Sequence, residues 1–255
     1  MDPTNDSKSG RMPVWQHLDE LRQRLLWSLA AVVAGVCVTY FFLEKLIWIL
    51  EKPLLDILPA HRQYLYFTGL TDKFVVYFQV CILAGCFLVS PFLFYQLWRF
   101  VAPGLREKER KFVVPFVLGA TFAFALGVAF AYFLILPYGY KFLIEFGSPT
   151  DQAMITLKEY FSLTLKLLLA VGCIFETPVL FILLGKFGLV TASQLKAHRR
   201  LAFLTAAVVA AIATPTPDAF TMCLVLVPLY LLYEVSIVTV SWMEKHTRSR
   251  NFHVL

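Results

Sequence analysis

Charge is scarce in this sequence. Only 16% of its 255 residues are Asp, Glu, Lys or Arg, against roughly a quarter in soluble domains. Hydrophobic residues make up 59%, and the mean hydropathy is +0.69. These values exclude an ordinary water-soluble domain. Catalytic signatures are missing as well. The chain has no HExxH, GxSxG, CxxC or Walker loop, which argues against metalloprotease, serine hydrolase, thiol-redox and ATP-driven chemistry. Its five histidines (His17, His61, His198, His246 and His253) lie outside the apolar stretches and are not spaced for a metal. The cysteines, Cys37, Cys81, Cys86, Cys173 and Cys223, are odd in number and all lie inside apolar stretches, so they read as small packing residues. No cofactor or metal is expected.

Long apolar runs are abundant. Six of them, at about 25–43, 74–98, 112–138, 160–184, 201–213 and 219–240, account for most of the chain. Roughly 17–25 apolar residues cross a ~30 Å hydrocarbon core as a helix. The expected fold is therefore an all-α integral membrane protein of six transmembrane helices, residues 13–242, with a disordered segment at 1–12 and a cytoplasmic tail at 243–255. The first run is not a cleaved signal, because it is too long and no small-x-small site follows it.

The net charge of +6 has an explanation in topology. Of the 23 Lys and Arg residues, 16 fall in the N-terminal segment, the second and fourth gaps and the tail, and 7 fall in the other gaps. Positive charge favours the cytoplasm, so both termini are expected there. No basic patch interleaved with aromatics occurs on a polar segment, and nucleic acid is not an expected partner.

Ahead of the first run, Trp15, Leu18, Leu21 and Leu25 form one helical stripe with polar residues off it. This is an interfacial amphipathic start. In the first outer gap, Pro53 and Pro59 are expected to leave short pieces lying on the membrane. Pro91, Pro137, Pro178 and Pro228 are expected to kink their helices into a cupped wall, with Ser90 and Thr177 re-satisfying freed backbone groups. Asp218 follows a tight Thr214–Pro217 hairpin and suits the N-terminus of the last helix. The fifth run is only 13 residues long. It either thins the bilayer locally or is lengthened by snorkelling Arg199 and Arg200.

Ionisable groups inside apolar runs are candidates for function. Glu176, beside Thr177-Pro178, could face a cavity or a partner's helix, or could make an internal hydrogen bond. Glu234 and Lys166 lie nearer the interfaces. Glu20 has Arg24 at i,i+4 and Glu107 has Lys111, whereas Glu109 has no such neighbour and is the freer acceptor for an external cation.

Five segments together resemble the TatC family, the multi-spanning subunit of the twin-arginine protein translocase. They are His17-Leu18-x-Glu20-Leu21-Arg22-x-Arg24, Gln96 to Leu105 followed by Glu109-Arg110, Phe130-Ala131-Tyr132-Phe133, Phe175-Glu176-x-Pro178, and Thr214-Pro215-x-Pro217-Asp218. The resemblance implies a six-helix receptor for twin-arginine signal peptides of folded cargo, working with single-span TatA and TatB, self-associating, and driven by the proton-motive force. It further implies a peptide site at Glu20 and Glu109, with Phe100, Leu105 and Arg22 nearby, and functional roles for Pro53, Glu176 and Asp218. The extra residue between Pro215 and Pro217 departs from the adjacent prolines of many members. The alternative reading is a proton-coupled secondary transporter using Glu176, against which stands the lack of any visible inverted repeat.

Overall fold

The computed structural model describes residues 14–59, 63–101, 112–147, 154–214 and 218–252. Eleven helices are described: α1 Val14–Tyr40, α2 Leu43–Leu55, α3 Asp72–Leu88, α4 Ser90–Val101, α5 Val113–Phe130, α6 Leu136–Glu145, α7 Leu157–Ile174, α8 Thr177–Lys186, α9 Ala192–Ala197, α10 Arg199–Ala213 and α11 Ala219–Phe252. A wide π turn, Ala131–Ile135, joins α5 to α6. Among the described residues the sole β feature is a parallel bridge between Tyr66 and Thr156.

Four segments are long and apolar enough to span a bilayer: His17–Tyr40, Val113–Glu145, Leu157–Lys186 and Ala219–Lys245. A fifth is the pair α3 and α4, bent by 60°. Leu118, Phe122, Leu29 and Val33 stand exposed on these helices, as side chains that face lipid do. The remaining apolar run forms α10, whose 15 residues cover only ~22 Å of a ~30 Å core. The last helix passes the expected end of its span without a break and includes residues 243–252. The N-terminal segment expected to be disordered lies outside the described residues.

Proline chemistry explains several breaks. Pro178 cannot donate to the Ile174 carbonyl four residues back. The Thr177 hydroxyl donates to that carbonyl instead, at 2.6 Å, and the helix is interrupted there between α7 and α8. Pro53 has the same effect in α2, where it sits buried in the last turn without ending the helix. The carbonyl it leaves is that of Ile49, and the Tyr132 hydroxyl donates to it at 2.7 Å. Tyr160 donates to the adjacent Leu50 carbonyl at 2.5 Å. Two tyrosines from the bundle thus hold α2 by its backbone. Pro228, by contrast, lies inside the unbroken α11.

Close backbone approach sets the helix pairs. Gly35 of α1 faces Gly85 of α3, where an added Cβ would meet the Val36 nitrogen at 2.8 Å. Small residues permit such contacts in lipid. One turn further along α1, the Thr39 hydroxyl donates to the Cys81 carbonyl at 3.0 Å. The main core gathers on the α2 side of the bundle around Phe161, Leu54, Val76, Val80, Ile135 and Val171.

A candidate peptide cleft at the N-terminal side

The polar first turns of α1 lie against the end of α4. Glu20 is half-buried, and Arg24, one turn later, donates through Nε to Glu20 Oε1 at 3.1 Å. A second guanidinium nitrogen, Nη2, bonds the same oxygen. Its remaining nitrogen, Nη1, donates to Gln96 Oε1 at 3.4 Å. Glu20 Oε2 is buried, accepts no hydrogen bond among the described residues, and lies 4.0 Å from His17 Nδ1. The His17 ring stacks on Phe100 with centroids 4.4 Å apart and planes 20° from parallel.

Of these side chains, Glu20, Arg24 and Gln96 border an open cleft of about 850 Å3, which is also lined by Asp19, Gln23, Trp27, Phe92, Tyr95 and Arg99. Phe92, Gln96 and Arg99 recur at helical spacing and present one face of α4 to it. The cleft therefore combines aromatic walls with a carboxylate that has spare acceptor capacity. A guanidinium from outside could donate a charge-assisted hydrogen bond to the remaining oxygen.

The expected site residues are only partly brought together. Glu20 and Phe100 meet through His17. Arg22 is exposed and does not line the cleft. Leu105 and Glu109 lie outside the described residues, in 102–111, which follow directly from α4. Residue-by-residue reading of charge did not single out the role of Gln96 or the His17 stack, although both residues fall in the quoted motifs.

The other expected residues lie elsewhere. Glu176 is half-buried at the break between α7 and α8, and its Oε1 is buried without a hydrogen-bond partner among the described residues. Asp218 caps α11, its Oδ1 accepting from the Thr221 amide at 2.6 Å. Pro53 is buried within α2, as described above. Glu234 is well satisfied, with Arg199 at 2.6 Å and the Tyr230 hydroxyl at 3.1 Å.

A bundle of apolar helices, with a partly satisfied carboxylate in an open polar cleft at one end, defines a multi-span membrane protein built to bind. Comparison with known proteins makes this specific. A model of the family "Sec-independent protein translocase protein (TatC)" matches residues 16–228. The TatC of Desulforapulum autotrophicum is 42% identical over 228 residues, covering 89% of this chain and 84% of the relative. That of Koribacter versatilis is 36% identical over the same shares. A crystal structure of the twin arginine translocase receptor TatC superposes with a TM-score of 0.77 at 34% identity, over 88% of this chain and 97% of the other. The chain belongs to the TatC family.

Proposed function

We propose that this protein is the receptor core of a twin-arginine translocase and binds twin-arginine signal peptides in the cleft at the start of α1. As a member of a translocase family it acts by binding, not by catalysis. One observation carries the reading: Glu20 gives Arg24 a single oxygen and keeps the other, buried and unpaired, beside an open cleft. A buried acceptor without a donor is costly, and a ligand guanidinium would relieve that cost. Charge-assisted bonds of this kind contribute ~1.5–3 kcal/mol each. Glu109 is proposed as the second carboxylate, with Leu105 beside it. Arg22 fits a different role, since it is exposed and does not line the cleft.

The wider assembly is proposed on the same footing. The 16-to-7 division of basic residues favours both termini in the cytoplasm of a bacterial cell, with α10 completing six crossings. Single-span TatA and TatB subunits and further copies of the chain are the proposed partners, and the proton-motive force the driving energy. A label at a cysteine placed at Ser148 should then react from outside the cell, and reaction only from the cytoplasm would overturn this topology. The functional test compares binding of an Arg-Arg signal peptide and its Lys-Lys variant to purified protein. Lys cannot supply bidentate pairing, so equal affinity would sink the proposal.

A further inference from the structure

One face of α7 changes character along its length. Near its start, Lys158, Glu159, Ser162 and Lys166, with Thr68 and Thr156 from the neighbouring segments, line a polar recess of about 730 Å3. Further along, Leu169, Ala170 and Cys173, with Val209, Ile212 and Ala213 of α10, line an apolar groove of about 840 Å3. Lys166 borders both. The two cavities thus meet at one exposed lysine, with a polar lining on one side of it and an apolar lining on the other.

Most charge in the recess is already engaged. Lys158 Nζ lies 3.9 Å from Asp72 Oδ1, and Glu159 Oε2 accepts from the Thr156 hydroxyl at 3.0 Å. Lys166 makes no ion pair among the described residues. It also lies deep, nine residues past Leu157, or ~13 Å along the helix axis. That depth coincides with an irregularity on the other side of the groove. The short α10 ends there, and its last residues, Ile212 and Ala213, share the groove with Lys166. Polar groups from the bilayer interface can thus descend to the level of the ammonium.

We propose that the recess and groove form one glycerophospholipid site, with the lipid phosphate held by Lys166 and Ser162 and an acyl chain lying between α7 and α10. Charge complementarity selects this occupant. A purely apolar partner helix would fill the groove but leave the ammonium facing hydrocarbon, which is costly. A polyanion would be repelled by Glu159 and Asp72. A single phosphate on an amphiphile satisfies the lysine and the groove together. The inference does not depend on how the cleft at the other end of the protein is used.

The test is native mass spectrometry of the full-length protein titrated separately with phosphatidylglycerol, phosphatidylethanolamine and a diacylglycerol of the same chains. A crosslinking amino acid at Ile212 identifies in native membranes what lies in the groove. Both phospholipids should be retained and the diacylglycerol should not. Lys166→Glu should lower retention about tenfold, while Lys166→Arg keeps it, which also shows that the fold tolerates change there. Lys141→Glu, at an exposed lysine 4.0 Å from Glu145 on the same side, should have no effect. Equal retention of diacylglycerol, unchanged retention in Lys166→Glu, or an Ile212 adduct to protein in place of lipid would each overturn the proposal.

Discussion

The two ends of the bundle treat their polar groups differently. Around α2 and the start of α3, acceptors are paired. Asp72, buried at the start of α3, accepts from the Gly69 amide at 2.7 Å and the Thr68 hydroxyl at 3.4 Å. Tyr66 and the residues flanking Thr156 exchange backbone bonds of 3.1 and 2.6 Å, and the Ile49 and Leu50 carbonyls are held by tyrosines. At the N-terminal side, Glu20 keeps an oxygen unpaired while its neighbour Arg24 divides its donors between Glu20 and Gln96. A group that is fully satisfied inside the protein has little to offer a ligand. The α2 side is thus built for stability, and the cleft holds back acceptor capacity for something external.

The sharpest way to break that contrast is at the proposed second carboxylate. Glu109→Gln should cost an order of magnitude or more in affinity for an Arg-Arg signal peptide, with ~1.4 kcal/mol per tenfold, and leave the melting temperature unchanged. Titration of labelled peptide against purified protein reads this directly. The surrounding 99–111 segment carries five bases against two acids, so its long-range field opposes a cationic peptide. That field fades beyond a Debye length of ~8 Å, and affinity must come from short-range pairing. Glu20→Gln should show a smaller loss, because Arg24 already competes for one of its oxygens. A Glu20 effect as large as that of Glu109 would mean that Arg24 leaves when the peptide arrives.

On the α2 side the same logic forecasts a stability effect with peptide affinity preserved. Tyr132→Phe should lower unfolding free energy by about 1 kcal/mol, the net worth of a typical hydrogen bond. The loss should shrink in a Pro53→Ala background, since alanine restores the backbone donor that proline withholds from Ile49. A double-mutant cycle measured by thermal unfolding isolates the coupling, and strict additivity would refute the pairing of these two residues. Glu176→Ala tests the intermediate case, a buried unpaired carboxylate oxygen away from the cleft. It should weaken co-purification of a single-span partner severalfold while peptide binding changes little. Equal loss of both would mark Glu176 as structural. The smallest expected effect is that of Glu107→Gln, within about twofold, because the i,i+4 spacing of Lys111 in the sequence makes Glu107 the less available acceptor. If it matched Glu109→Gln, the peptide would be reading a diffuse acidic surface.

How far the sequence reached depended on the range of the interaction. The apolar runs, the helix break before Pro178 with its Thr177 rescue, and the Asp218 cap were all legible, because each is decided within about four residues along the chain. So was the Glu20–Arg24 pair. Pro53 was misjudged as a break, since a proline in the last turn of a helix costs little when a distant hydroxyl takes its orphaned carbonyl. The extension of α11 through residues 243–252 was also missed, because the polarity that ends a membrane span does not end a helix.

By itself, then, the sequence determined that the chain is helical, lies in a membrane, and carries a specific set of charged residues near the ends of its spans. Hydrophobic length and local backbone chemistry suffice for that, since the bilayer penalises every unpaired peptide group. Only the tertiary structure decided which of those charges are used up. Whether Gln96 reaches Arg24, Tyr132 reaches Ile49, or α10 ends beside Lys166 depends on residues between 46 and 83 positions apart. Glycine contacts such as Gly35 against Gly85 bring the helices close enough for these pairings, and such an approach requires a partner surface that periodicity along one helix cannot specify.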